Sequence, residues 1–233
     1  MPRPRMQLSI SESPDLAPLG LTEAHVRAAL LDIARLLLRR GYDLVYGGDL
    51  RRYGYTEDLA ALVRRQQEFP QDKEARLIWP VVPGANASAD EAQHFVMAWY
   101  GEVTLEPVPP PASGLDKAAL LTHLRQHMAE TTAGLVAIGG QTSGFSGPRP
   151  GVVEEISLQA AAKRAVYLIP SFGGATAAAA AALGVNLPEY LTPSLRLDPM
   201  GTLPAHLQSF AEQAAQTPEP AGLVALLAGA LKG

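Results

Sequence analysis

Apolar runs of strand length alternate with helix-length segments along most of this chain, and that alternation limits the folds open to it. The clearest strand runs are residues 6–11, 42–48, 135–140 and 165–171. Residues 76–82 and 101–108 are weaker candidates, because a proline inside or after each favours an edge or a strand end. Helical patterns fill the gaps at 22–40, 56–69, 115–131, 152–164 and 174–183. The first is the best formed: Thr22 is placed to cap it, apolar residues recur at 26, 29, 30, 33, 36 and 37, and Gly41 stops it. Strands separated by helices of this length predict βαβ units, hence a Rossmann-like α/β fold with a mainly parallel sheet covered by helices on both faces. "PVPPPASG" (107–114) is the most evident joint, between two halves that share the sheet of a single 1–233 domain. Residues 203–233 add two more helices, the last apolar nearly all round, so it is predicted to pack on the body or on a second copy in a homodimer.

Composition removes several classes of function. No apolar run reaches the roughly 18 residues of a membrane span, and the N-terminus lacks an apolar secretory segment, so a cytoplasmic protein is predicted. The chain has no cysteine, which removes disulfides, thiolate metal sites and cysteine nucleophiles. His123 and His127 are spaced for one helix face but have no third ligand nearby, so they read as solvated, and neither a metal nor a cofactor is predicted. A net charge of -4 argues against a general nucleic-acid surface.

In open parallel sheets, ligands bind beyond the carboxyl ends of the strands. There this sequence places Ser9, Ser11 and Glu12; Gly47, Gly48, Asp49 and Arg51; Gly139, Gly140 and Gln141; and Ser171, Gly173, Gly174 and Thr176. Each cluster alone reads as a tight turn, whereas four at one edge predict a pocket for a polar ligand. The N–H groups of Gly140, Gly173 and Gly174, with Arg149 or Arg51, are predicted to meet phosphates, and Glu155 and Asp49 to meet ribose hydroxyls. "GGQTSGFSGPRPGVVEE" (139–155) stands out, since its connection of about a dozen residues is long for a strand-to-helix link. Glycines 144, 147 and 151 and prolines 148 and 150 shape the loop, and Glu154 and Glu155 fall in the first turn of the following helix. Trp79, Phe95, Trp99 and Tyr100 read as core, while Tyr53 and Tyr55 are better placed to stack on a base.

"GPRPGVVEE" resembles the PGGxGTxxE signature of the SLOG superfamily, which includes the Lonely Guy phosphoribohydrolases and the Smf/DprA DNA-processing proteins. Gly151 takes the place of the glycine before threonine and Glu155 that of the closing glutamate; Pro148, Arg149 and Val152 depart from the pattern. The ordered set "SISES", "YGGDLRRYGYT", "RQHM", "GGQTSGFSGPRPGVVEE" and "SFGGAT", across residues 6–190, is similar to a divergent branch found in bacterial conflict and anti-phage systems. The resemblance implies binding of a nucleotide or nucleotide-derived signal of the NAD or ADP-ribose kind, by a homodimer; either a separate effector protein responds to that signal or the domain itself acts. The alternative is hydrolysis of an N-glycosidic bond, with Glu155 stabilising developing positive charge and Arg149 positioning phosphate. Single-stranded DNA binding is disfavoured by the acidic balance.

Overall fold

The computed structural model describes residues 2–48, 50, 54–112 and 114–231. All six apolar runs are strands: β1 (Arg5–Ser11), β2 (Asp43–Val45), β3 (Leu77–Val81), β4 (Val103–Pro107), β5 (Gly134–Gly139) and β6 (Ala165–Ile169). They form one parallel sheet in the order β4-β3-β2-β1-β5-β6. Among the described residues the helices are α1 (Glu23–Arg39), α2 (Tyr55–Gln66), α3 (Ala89–Ala98), α4 (Lys117–Thr131), α5 (Gly151–Ala161), α6 (Gly174–Ala182), α7 (Ala205–Ala215) and α8 (Pro220–Ala230). This is the Rossmann-like α/β architecture that the alternation predicted. None of these helices is long and apolar enough to cross a membrane.

The chain divides into two compact units, Met1–Leu8 with Ala34–Ala133, and Ser9–Ile33 with Gly134–Gly233. The proline-rich segment 107–114 lies inside the first unit, between β4 and α4; the main break falls at Ala133/Gly134.

In the first unit β3 is an interior strand despite Pro80, which corrects the expectation of an edge. Residues of a parallel strand turn their polar groups to either neighbour alternately. The Ile78 carbonyl accepts from Tyr46 on the β2 side, so Pro80, two residues on, turns to that side too. There β2 has already ended at Val45, so the donor that proline lacks has no ladder to serve, and the Pro80 carbonyl is taken by the Asn86 amide at 3.0 Å. Helix α3, absent from the predicted elements, starts on a capping box: Ser88 accepts from the Glu91 N–H, and the Glu91 carboxylate accepts from the Ser88 N–H. Those Ser88 hydrogen bonds hold the Glu91 carboxyl below the usual carboxylate range.

At the amino ends of the strands, Asp43 accepts from the Arg76 N–H at 3.0 Å and lies 3.1 Å from the Arg3 guanidinium, which also donates to the Leu38 and Tyr42 carbonyls. Burial pushes the Asp43 carboxyl above its ordinary value, against the pull of the Arg76 hydrogen bond and of Arg3. Ionising Asp43 therefore costs more in the folded chain than in the unfolded one. Its contribution is most favourable below the ordinary carboxylate value and declines as pH rises through the raised one. The stability of the wild type relative to Asp43→Asn, followed by urea unfolding from about pH 4 upward, is expected to fall as pH rises; a rise contradicts the assignment.

In the second unit, α5 and α6 pack on β5 and β6, and α7 packs on β6, where Tyr167 and Phe210 meet edge to face at 5.4 Å. Helix α8 lies against α7, with Leu223 and Leu227 buried and the rest of its apolar surface partly open.

Candidate functional site

In the second unit, β1 ends at Ser11, β5 at Gly139 and β6 at Ile169, and a chain of hydrogen bonds ties these ends together. The Ser11 carbonyl accepts from Gly140 at 3.0 Å and the Ser11 hydroxyl accepts from the Gln141 N–H at 3.1 Å. The Gly140 carbonyl accepts from Ala175 in the first turn of α6 at 2.9 Å. The Gly174 N–H, at the very start of α6, donates to the Asp15 carboxylate at 2.7 Å. Asp15 is itself set by a turn in which its N–H donates to the Ser13 hydroxyl at 3.2 Å.

This network corrects the assignment of phosphate donors. The Gly140 N–H is spent on Ser11, that of Gly173 on the Pro170 carbonyl at 2.7 Å, and that of Gly174 on Asp15. A carboxylate from the protein thus occupies the position at the α6 N-terminus where an anionic ligand was predicted. Asp15 was not among the predicted site residues. Its one sequence signal, a Ser-Pro-Asp turn just after a strand, carries no hint of a partner 159 residues away.

Helix α5 is the opposite case. Its N-cap is Pro150, which has no side-chain acceptor, and among the described residues the N–H groups of Gly151, Val152 and Val153 have no partner. The segment before it, residues 143–149, is exposed apart from the half-buried Phe145. Glu154 and Glu155 are half-buried and each makes contacts of its own. Arg149 is exposed, and its guanidinium donates to the Ser157 hydroxyl at 3.4 Å. Residues two apart on a helix are about 200° apart around the axis, so Ser157 and Glu155 lie on opposite flanks of α5. The predicted catalytic pair, Glu155 and Arg149, is therefore not brought together here.

Three hydroxyls of the same unit are buried with no hydrogen-bond partner: Ser9 (2 % exposed), Ser171 (5 %) and Thr176 (0 %). Leaving such a group unpaired costs about 1–3 kcal/mol, so buried polar atoms in this condition call for a ligand, water or strain to account for them. Ser11 is half-buried, and Glu12 and Gln141 are exposed beside them.

In the first unit, Gly47 and Gly48 form a turn held from outside. The Trp79 indole donates to the Gly48 carbonyl at 2.8 Å and the Asn86 amide to that of Gly47 at 3.3 Å. A Cβ on Gly47 would lie 2.9 Å from the sulfur of Met128, so the methionine of "RQHM" serves to cover this turn. Trp79 and Phe95 are core, as predicted, whereas Tyr100 is exposed. Tyr55 is buried in the first turn of α2 instead of standing open to a base. Asp49, Arg51 and Tyr53 lie outside the described residues. His123 meets the Pro109 carbonyl at 3.0 Å and His127 faces Glu106 at 3.3 Å.

A six-stranded parallel sheet with helices between its strands, carrying glycines, buried hydroxyls and an uncapped helix start past its carboxyl ends, defines a Rossmann-like α/β protein. Within that class the chain belongs to the SLOG cluster2 family, which matches residues 3–227. Membership points to a nucleotide-related role. No curated protein matches the chain.

Proposed function

We propose that the chain binds a nucleotide or nucleotide-derived small molecule of the ADP-ribose kind, with a phosphate seated on the N–H groups of Gly151, Val152 and Val153. The observation that carries this reading is the contrast between the two helix starts. The α6 N-terminus is neutralised by Asp15, whereas that of α5 is left without an acceptor behind an exposed, glycine-rich loop. Partial positive charge accumulates at a helix start, and free N–H groups pointing out of it fit phosphate oxygens. Arg149, one residue before the cap, needs only to leave Ser157 to reach the same anion. Glu155 is proposed to take ribose hydroxyls, with Ser11 and Gln141 at the rim. The resemblance of the motif set to the conflict-system branch supports an anti-phage signalling setting.

The test is to incubate the chain with AMP, ATP and NAD and follow the nucleotides by chromatography. Binding without turnover is expected: each nucleotide is recovered intact, and Glu155→Gln changes affinity severalfold at most. Release of free base by the wild type, abolished in Glu155→Gln, would replace this reading with hydrolysis of the N-glycosidic bond.

A further inference from the structure

The second unit holds a cleft of about 280 Å³ that none of residues 139–155 lines. Its walls are Pro18, Leu19 and Leu21 from the segment after β1, Ser171 from the turn after β6, Tyr190, and Pro218 from the α7–α8 connection. We infer that this cleft binds a planar heteroaromatic ring, the chemical class of the nucleobases, between Tyr190 and the two prolines, with the Ser171 hydroxyl pairing to one ring-edge heteroatom.

The chemistry of the lining selects this class. No Lys, Arg, Asp or Glu is among the lining residues, so a phosphate or other charged group would enter without a counter-charge. A sugar would set several hydroxyls against proline and leucine, with only the Ser171 and Tyr190 hydroxyls to pair them. A purely aliphatic ligand would leave the Ser171 hydroxyl, on a residue only 5 % exposed, as unpaired as it is in the free chain. A flat ring with apolar faces and a polar edge satisfies both kinds of wall at once. Tyr190 is 66 % exposed, leaving its ring open to stacking, and its own hydroxyl is loosely held by the Ala215 carbonyl at 3.4 Å. The volume lies near the lower end for ligand pockets, which suits one ring system better than a whole dinucleotide. The segment that walls the cleft also carries Asp15, three residues before Pro18, so a ring seated here rests against the loop that caps α6.

Saturation-transfer NMR on the full chain, with free adenine as the probe and cyclohexanol as competitor, tests the assignment. Adenine is expected to receive saturation, to bind at least tenfold more weakly to Tyr190→Ala and severalfold more weakly to Ser171→Ala, and to bind Pro150→Asp as it binds the wild type. Ser171→Ala is expected to be as stable as the wild type or more so, because the hydroxyl it removes has no partner. The inference is overturned by absence of transfer to adenine, by unchanged binding in Tyr190→Ala, or by displacement by cyclohexanol at equal concentration. Loss of adenine binding in Pro150→Asp also overturns it, by assigning the ring to the α5 site; failure of phosphate binding at α5 leaves every adenine arm in place.

Discussion

Replacing Gly174 with alanine is expected to lower the stability of the chain by about 2–5 kcal/mol, from two causes that add. Gly174 opens α6 with φ +64°, a left-handed conformation that costs a residue with a side chain about 1–2 kcal/mol. The new methyl would also land on the Gly140 carbonyl oxygen, 2.8 Å from the Ser13 hydroxyl and 3.0 Å from the Gly139 carbonyl carbon. Forcing such a contact costs about 1–3 kcal/mol when the neighbours are fixed, and here they are backbone atoms tied by the Ser11–Gly140 and Gly140–Ala175 hydrogen bonds. Against a typical total of about 5–15 kcal/mol, this is a large share. Urea unfolding of Gly174→Ala beside Gly229→Ala measures it, since a Cβ at Gly229 in α8 meets nothing within 4 Å. The second variant is expected to unfold at or above the wild-type midpoint; equal midpoints for the two would contradict the interlocked strand ends described here.

The substitution expected to affect ligand binding most is Pro150→Asp. Pro150 sits at the N-cap of α5 with φ -54° and ψ 140°, a conformation in which an aspartate accepts hydrogen bonds from the N–H groups of the first turn. It would do for α5 what Asp15 does for α6. The gain of a cap, about 1 kcal/mol, is set against the loss of proline's restriction of the unfolded chain, about 0.4–1 kcal/mol, and against placing a carboxylate where Pro150 is buried, so a modest loss of stability is expected. Affinity for ADP-ribose, measured by titration calorimetry, is expected to fall more than tenfold, about 1.4 kcal/mol or more. The carboxylate would fill the anion position and repel the phosphate. An unchanged affinity would remove α5 from the site.

What the sequence made legible follows from what is local. The six strands show as apolar runs, and five of the helices between and within the βαβ repeats as periodic segments, because burial of one stripe or of both faces leaves its mark residue by residue. Helix α3 was missed, although Ser88 and Glu91 carry the S-x-x-E capping signature; its apolar periodicity is weak, with Ala92 and Phe95 as its buried residues. Tyr55 was read as open to a ligand, yet Tyr55, Leu59, Leu62 and Gln66 follow helical spacing and form one buried stripe, a pattern already present in the sequence. Gly140, Gly173 and Gly174 stand just past the strand ends, as the sequence predicts; the Gly173 N–H finds a local acceptor in Pro170, but those of Gly140 and Gly174 are taken by Ser11 and Asp15, brought there from far along the chain. The same glycine composition serves a ligand cradle or an interlocked turn, and long-range hydrogen bonds decide between them. Two of the departures from the family pattern, Arg149 and Val152, acquire a physical reading on this basis. Val152 packs into the space over Gly140, and Arg149 rests on Ser157 beside an uncapped helix start.

Amide hydrogen exchange of the chain with and without AMP, NAD and ADP-ribose addresses the site most directly, because an N–H that gains a phosphate acceptor is slowed where it stands. At least one of these compounds is expected to protect the amides of residues 151–153 together with the loop at 142–149, while those of Gly140, Gln141, Gly173 and Gly174, already hydrogen-bonded, change little. Protection confined to other segments, or no protection by any of the three, would contradict a nucleotide site at the start of α5.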